Sequence, residues 1–317
     1  MQILLNMGID VAKDELVIAC AEDASLARTI PNQRAAIGAW LRTLPAASRI
    51  GLEATGRYHE LLADLAHRLG FAVFVLNPKD TRHYARAVGM RAKTDRVDAA
   101  LIARLLAHEH AHLHAYTPVS IAQRRMDRLL KRRLQLGKIK VALKQSLQDL
   151  TGLSPQIKDL MVKLDALIDA VETQLVALHH ACPARAHAQA RLQSIVGVGP
   201  LVGAGLAAAL ERIPFKNADA FVAFTGLDPR PQDSGHKVGR RRLSKRGPST
   251  LRRLLFNAAM SASRTKTWKP IYDHYRSRGL PTTAALVVIA RKIARTAWSI
   301  YHHNTTFSPD RLTQALT

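Results

Sequence analysis

Midway along the chain four leucines, Leu129, Leu136, Leu143 and Leu150, stand seven residues apart. A strand turns successive side chains to opposite faces, so it cannot hold a seven-residue repeat on one face. An α-helix keeps it as a single stripe. A second apolar series follows at Ile157, Leu160, Met161, Leu164, Leu167, Ile168, Val171, Leu175 and Leu178, again on the helical template. Thr151-Gly152-Leu153-Ser154-Pro155 parts the two. Residues 116–190 therefore read as a helical linker, an antiparallel hairpin or a coiled coil. Its stripe is covered either within one chain or by further copies, as a homodimer or tetramer.

The flanking regions have different patterns. Ile3-Leu4-Leu5 leads into Met7–Val11, and Glu15–Ala19 follows Ala12-Lys13-Asp14, a spacing that suits two strands in a hairpin. Ala35–Leu44 and His59–Leu69 read as helices. Ile50–Glu53 and Phe71–Leu76 read as strands, the second stopped by Asn77-Pro78. From Asp95 to His108 the pattern is helical. Strands alternating with helices predict an α/β domain over about residues 1–115. Residues 191–317 open with Ile195–Pro200, continue in the helical run Leu201–Leu210, pass through a Gly-, Pro- and Arg-rich loop, and end in helices. The expected fold class is α/β followed by all-α.

Charge divides the chain more sharply. The net charge is +23, which favours a polyanionic partner and argues against a small neutral metabolite as the sole ligand. Residues 1–115 carry 14 Lys and Arg against 12 Asp and Glu, whereas residues 191–317 carry 21 against 6. This asymmetry predicts an acidic chemical site early in the chain and a polyanion-gripping surface late in it. No apolar run is long enough to span a membrane, and the first residues lack the basic flank of a signal peptide. Cys20 and Cys182 suit neither a disulfide framework nor a zinc site, so a reducing cytoplasm is expected, beside the nucleoid.

Four carboxylates stand out. Asp10 interrupts an apolar strand, Glu53 ends another, and Asp95 and Asp98 share one face of a helix start. An acid within an apolar strand is costly without compensation, and a divalent cation is one form of compensation. Mg²⁺ binds through a few carboxylates and substrate phosphates, and can assist phosphoryl transfer. Each acid also has an ordinary reading, Asp10 as a turn residue and Asp95 or Asp98 as a helix cap.

The motifs resemble those of a known family. Gly8-Ile9-Asp10-Val11-Ala12-Lys13, Leu52-Glu53-Ala54-Thr55-Gly56, Asn77-Pro78 and Lys93-Thr94-Asp95-Arg96-Val97-Asp98-Ala99 resemble the RNase H/RuvC-like half of the IS110 transposases. These are DEDD recombinases of insertion sequences, related to Piv-type DNA invertases. Ala223–Arg230, Asp233-Ser234-Gly235, Leu243-Ser244-Lys245-Arg246-Gly247 and Leu251-Arg252-Arg253 resemble the same family's C-terminal transposase domain. The resemblance spans nearly the whole chain in the family's order. It implies that Asp10, Glu53, Asp95 and Asp98 bind metal, and that Ser234 is a nucleophile forming a covalent serine–DNA phosphodiester. It implies donor and target DNA as partners, with a structured guide RNA encoded beside the gene.

The surroundings of Ser234 suit that role. A serine hydroxyl needs activation by a base, a metal or neighbouring charge. Lys237, Arg240, Arg241, Arg242, Lys245, Arg246, Arg252 and Arg253 follow with no acid among them. Such a run repels itself unless a polyanion covers it. The ordinary readings are a turn serine and a solvated helix face. Gly197-Val198-Gly199 before a helix suits a helix-hairpin-helix, whose backbone N–H groups bind phosphate without reading bases, or else a tight turn. Aromatic residues are sparse, and Trp268, Tyr272, Tyr275, Trp298 and Tyr301 read as core. The resemblance thus implies a DNA recombinase. The rival readings are a RuvC-like nuclease that hydrolyses with water and a non-enzymatic nucleic-acid-binding regulator.

Overall fold

The computed structural model describes residues 4–90, 94–231, 233, 234, 239 and 241–310. The chain forms two compact units, Met1–Pro118 and Val119–Thr317.

The first unit is a mixed sheet with helices on both faces. Strands β1 (Asn6–Val11), β2 (Glu15–Cys20) and β3 (Arg28–Pro31) run antiparallel, while β4 (Arg49–Glu53) and β5 (Ala72–Leu76) lie parallel to β1, in the order β3-β2-β1-β4-β5. The two parallel pairings need crossovers. Helix α1 (Arg34–Leu41) lies between β3 and β4, and α2 (Glu60–Arg68) between β4 and β5. Their apolar sides cover Met7, Ile9, Val11, Ile50 and Leu52. Helices α3 (Pro78–Ala87) and α4 (Asp95–Glu109) follow β5.

The opposite face of the sheet is shaped by what it lacks. Gly8 and Gly51 present no side chain, and α4 lies directly over them. A Cβ at Gly8 would stand 2.2 Å from both the Ala103 nitrogen and the Ala99 oxygen. A Cβ at Gly51 would stand 3.2 Å from Ile102 and Leu106. Ala99 and Ala103, both fully buried, are the matching small residues on α4. Side chains alternate along a strand, so Asp10 shares this face with Gly8, and Glu53 shares it with Gly51.

The second unit is built mainly of helices. Helices α5 (Ile121–Ser146) and α6 (Ser154–His180) form an antiparallel hairpin, its direction fixed by the ion pairs Arg133–Glu172 and Lys140–Asp165. Their seam on α6 is Ile157, Met161, Leu164, Ile168, Val171, Leu175 and Leu178, a strict alternation of three- and four-residue steps. On α5 the buried positions are Met126, Leu130 and Leu134. The heptad leucines Leu129, Leu136 and Leu143 are only half-buried, and Leu150 is exposed. Met126, Leu130 and Leu134 join the core of α7 (Pro183–Gln193), α8 (Pro200–Arg212), α9 (Ala218–Thr225), α10 (Ser249–Ala262), α11 (Lys269–Ser277) and α12 (Thr282–His303). Trp268 lies wholly inside that core, and Tyr272, Tyr275, Trp298 and Tyr301 pack against it. The two-residue strands β6 (Pro229–Arg230) and β7 (Arg242–Leu243) pair antiparallel. Among the described residues, no helix is long and apolar enough to cross a membrane.

Candidate active site

In the first unit, the chain's packing gathers the acids. The parallel register sets Ile9 opposite Leu52, so Asp10 and Glu53 leave neighbouring strands side by side on the α4 face. Asp95 and Asp98 occupy the first turn of α4, where the helix dipole favours negative charge. Thr94 caps that helix, its hydroxyl accepting from the Val97 N–H at 3.3 Å. Asp10, Glu53 and Asp98 line a cavity of about 280 Å³ together with residues of α3, including Thr81, Arg82 and Arg86.

The electrostatics of Asp10 show how close the others come. Burial, followed by the charges of Asp95 and Asp98, pushes its carboxyl up to about 6; the Val11 N–H lowers it and Glu53 raises it further. One carboxylate therefore senses the other three. Donors that are all oxygen suit a hard cation. Among the described residues, however, no three acidic, His or Cys side chains stand together as a ready metal-ligand set.

Thr81 is a part of this site that the sequence did not disclose. It is buried, and its hydroxyl donates to Glu53 Oε2 at 2.6 Å, fixing that carboxylate. Asn77, read above as part of a strand stop, is the N-cap of α3. Its side chain accepts from the Lys79 N–H at 3.0 Å, and Pro78 occupies the first turn, where its missing N–H costs nothing. The Asn-Pro pair was the available signal for a helix start.

Ser234 belongs to the second unit. It is exposed, on the excursion between β6 and β7. Its neighbour Asp233 is fastened to the far limb of that excursion. Both carboxylate oxygens accept from Arg241 Nη1 at 2.7 Å, and Oδ1 also accepts from the Gly239 N–H at 3.0 Å. These donors, Arg241 first, hold the Asp233 carboxyl below the usual carboxylate range. At the base of the excursion Ser244 donates to the Asp228 carboxylate, and its N–H donates to the Asp228 carbonyl at 3.0 Å.

The basic run divides by role. Arg242, Lys245 and Arg246 are exposed, and Arg241 is exposed while paired with Asp233. Arg252 turns inward and donates to the carbonyls of Thr225 and Gly247 at 3.1 and 3.2 Å. Arg253 donates to the Leu134 carbonyl at 3.2 Å. Lys237 and Arg240 lie outside the described residues. The two glycines before α8 also differ. Gly197 has φ +97°, and a Cβ there would meet Ala262 at 2.6 Å, so it serves packing against α10. Gly199 caps α8 and would meet nothing within 4 Å.

Comparison with known proteins gives a consistent result. The DEDD transposase model of IS110 elements matches residues 7–155, and the model of the IS116/IS110/IS902 transposase family matches residues 189–276. A pilin gene-inverting protein of Moraxella bovis is 27% identical over 81% of this chain and 80% of its own length. A probable family 20 transposase of Pseudomonas aeruginosa is 24% identical over 87% of this chain and 90% of its own. The transposase for insertion sequence element IS1111A of Coxiella burnetii is 26% identical over 95% of this chain and 90% of its own.

Proposed function

Because this chain belongs to the IS110 family of transposases, we propose that it recombines DNA through a covalent bond to Ser234, assisted by the four acids of its first unit. The observation that carries this reading is the meeting of Asp10, Glu53 and Asp98, from three places in the sequence, in one pocket, with Asp95 close enough to raise the Asp10 carboxyl. The five-stranded order, antiparallel then parallel, supports an RNase H/RuvC-like assignment for that unit. The α7–α8 turn supports a helix-hairpin-helix reading, with Gly199 as its phosphate-facing residue.

Asp10, Glu53, Asp95 and Asp98 would hold Mg²⁺. Such an ion keeps several waters and shares its shell with substrate phosphates, so a closed protein ligand set is not required. When bound, it supplies Lewis-acid stabilisation of phosphoryl oxygens. The protein's own groups do the rest. Ser234 Oγ gives up its proton and forms a bond to phosphorus. The bond from phosphorus to one sugar oxygen breaks, and that oxygen leaves and takes a proton. Attack by a sugar hydroxyl from another strand reverses these changes and restores the serine. The number of phosphodiester-type bonds is constant throughout, so rejoining needs no outside energy source. Arg241, Arg242, Lys245 and Arg246, with Lys237 and Arg240, stabilise the charge on the transferring phosphoryl group and hold the DNA backbone. Arg252 and Arg253 support that surface from beneath.

Sequence choice is delegated to a structured guide RNA. The chain's +23 charge supports backbone grip, and its sequence offers no zinc finger or homeodomain to read bases. Base pairing by a guide supplies what such a protein lacks. Self-association, as a dimer or tetramer, is supported by the exposed Val141, Leu150, Leu153, Leu160, Val162 and Leu167 of the α5–α6 hairpin.

A denaturing gel of protein with labelled DNA tests the reading. Wild type should give a covalent adduct, and Ser234→Ala should give none, with its stability unchanged. Asp10→Asn should lose strand exchange while keeping DNA affinity. Free cleaved ends without an adduct would make the protein a hydrolytic nuclease. Nuclease-treated protein should lose site-specific recombination but keep salt-sensitive DNA binding.

A further inference from the structure

The acid pocket has a cationic wall whose role the chemistry above leaves open. We propose that Arg82 and Arg86 are substrate-positioning residues that grip the backbone phosphates of a single DNA strand beside the four acids. The proposal rests on the reading that this pocket handles DNA.

The two arginines stand four residues apart on α3, so both project from one face of that helix. Both line the cavity that Asp10, Glu53 and Asp98 also line. Their presence beside three carboxylates invites the simple explanation that they neutralise them. The geometry does not support it. Among the described residues neither arginine forms an ion pair or hydrogen bond with those acids, and Glu53 takes its hydrogen bond from Thr81 instead. Both arginines are exposed, and among the described residues neither has a hydrogen bond or ion pair.

Their position is nonetheless fixed. Arg82 follows Thr81, whose buried hydroxyl ties α3 to Glu53. The start of the same helix is set by the Asn77 cap and Pro78. The backbone from which Arg82 projects is therefore held at a set place relative to Glu53.

The chemistry names the ligand class. A DNA strand carries a negative charge at every phosphate and is repelled by a pocket of carboxylates. Two cations on the wall offset that repulsion. Arginine presents a planar fork that matches the non-bridging oxygens of a phosphate, where an ammonium offers only a point charge. The cavity of about 280 Å³ has room for a phosphodiester of one strand, and that strand is the form proposed to enter it. Contacts to phosphate carry no base information, so this grip is indifferent to sequence.

The test uses the full-length protein in EDTA and a fluorescent single-stranded oligonucleotide, with affinity followed against NaCl concentration. Each phosphate contact to a single strand contributes ~0.7 to the slope of log K against log salt. The double variant Arg82→Ala/Arg86→Ala should lower that slope by about 1.4. In a separate assay with Mg²⁺, the adduct yield of this variant should fall at low strand concentration and recover at high concentration. The double Lys variant should keep the slope yet bind more weakly. Alanine at Arg34 and Arg42, at the ends of α1 on the opposite face of the sheet, should leave the slope unchanged. A wild-type slope in the Arg82/Arg86 variant overturns the proposal even where Asp10→Asn abolishes exchange. An equal loss of slope from the Arg34/Arg42 variant also overturns it, because the grip would then be diffuse. Full exchange by Asp10→Asn would remove the reading on which the proposal stands.

Discussion

The acid pocket and the Ser234 excursion are made in opposite ways. The pocket is a product of core packing. Two glycines let α4 press on the sheet, and the pressed helix delivers Asp95 and Asp98 toward Asp10 and Glu53. The excursion is a surface element. Its local ties are the two-residue ladder of β6 and β7, the Ser244–Asp228 contact and the Asp233–Arg241 pair. The first arrangement cannot change without disturbing a core. The second can, because exposed ion pairs are cheap to rearrange. Rigid carboxylates and an adjustable serine suit the reaction proposed above, in which Ser234 must meet a DNA strand.

The sharpest way to break this contrast is Gly8→Ala. The added Cβ would lie 2.2 Å from α4 backbone atoms on both sides, and backbone cannot step aside as a side chain can. Separating α4 from the sheet should cost roughly 3 kcal/mol or more, at the upper end of overpacking effects. Urea unfolding followed by circular dichroism should show the first unit melting early, while the helical second unit keeps its transition. A variant as stable as wild type would mean that α4 is not pressed on the sheet as described.

Thr81→Val is a gentler cut at the same pocket. Shape is kept, and the donor to Glu53 is lost. Hydrogen bonds to charged groups are worth about 1.5–3 kcal/mol, so stability should fall by about 2 kcal/mol. Loss of a partner that orients a metal-binding carboxylate commonly costs about 10- to 100-fold in activity, and strand exchange should fall within that range. Unchanged exchange would show that Glu53 needs no fixing.

The difficulty of reading Thr81 from sequence is instructive. The hairpin of β1 and β2, the strands β4 and β5 and the helix α4 all carry apolar patterns, and each lies where the pattern predicts it. Helix α3 carries almost none. Its buried position is Thr81, and its other residues are mostly charged or polar, so only the Asn77-Pro78 cap betrays it. Strand β3 hides for a related reason. Arg28, Thr29, Ile30 and Pro31 form an edge strand with little to bury. The leucine heptad gave the right element, although the inner face of α5 is Met126, Leu130 and Leu134. The proximity of Asp10 and Glu53 depends on a parallel register, which no local pattern encodes.

Asp10 offers a prediction of opposite sign. Its carboxyl titrates near 6 in the folded chain against an ordinary value of 3.8, so folding favours its neutral form. As pH rises from about 4 to about 6 the residue ionises and the fold loses stability, and the loss is complete above that window. Asp10→Asn removes the charge and the penalty. A shift of this size corresponds to about 3 kcal/mol in full burial, which solvent screening at a half-buried residue reduces to about 1–2 kcal/mol. In EDTA at pH 7.5 the Asn variant should be the more stable protein by that amount, although inactive, and the gain should fade by pH 4. An equal gain at both pH values would show that the charge of Asp10 is not what strains the pocket.

The smallest effect on stability, and the finest test of the contrast, belongs to Asp233→Asn. The residue is exposed, and its partner Arg241 is exposed too, so the melting temperature should not move. What should change is the excursion. The carboxylate accepts from Arg241 and from the Gly239 N–H at once, closing the loop on one side of Ser234. An amide cannot hold the guanidinium through two oxygens, and Arg241 is released toward any phosphate that arrives. Two consequences oppose each other: a stronger grip on DNA and a less ordered nucleophile. If order matters more, adduct formation slows while DNA affinity holds or rises. High salt should produce the same slowing in wild type, since it screens an exposed pair. The Asn variant should then show little further salt effect on the rate of adduct formation once binding is saturated. A variant that slows with salt as steeply as wild type would show that the Asp233–Arg241 pair does not govern how Ser234 is presented.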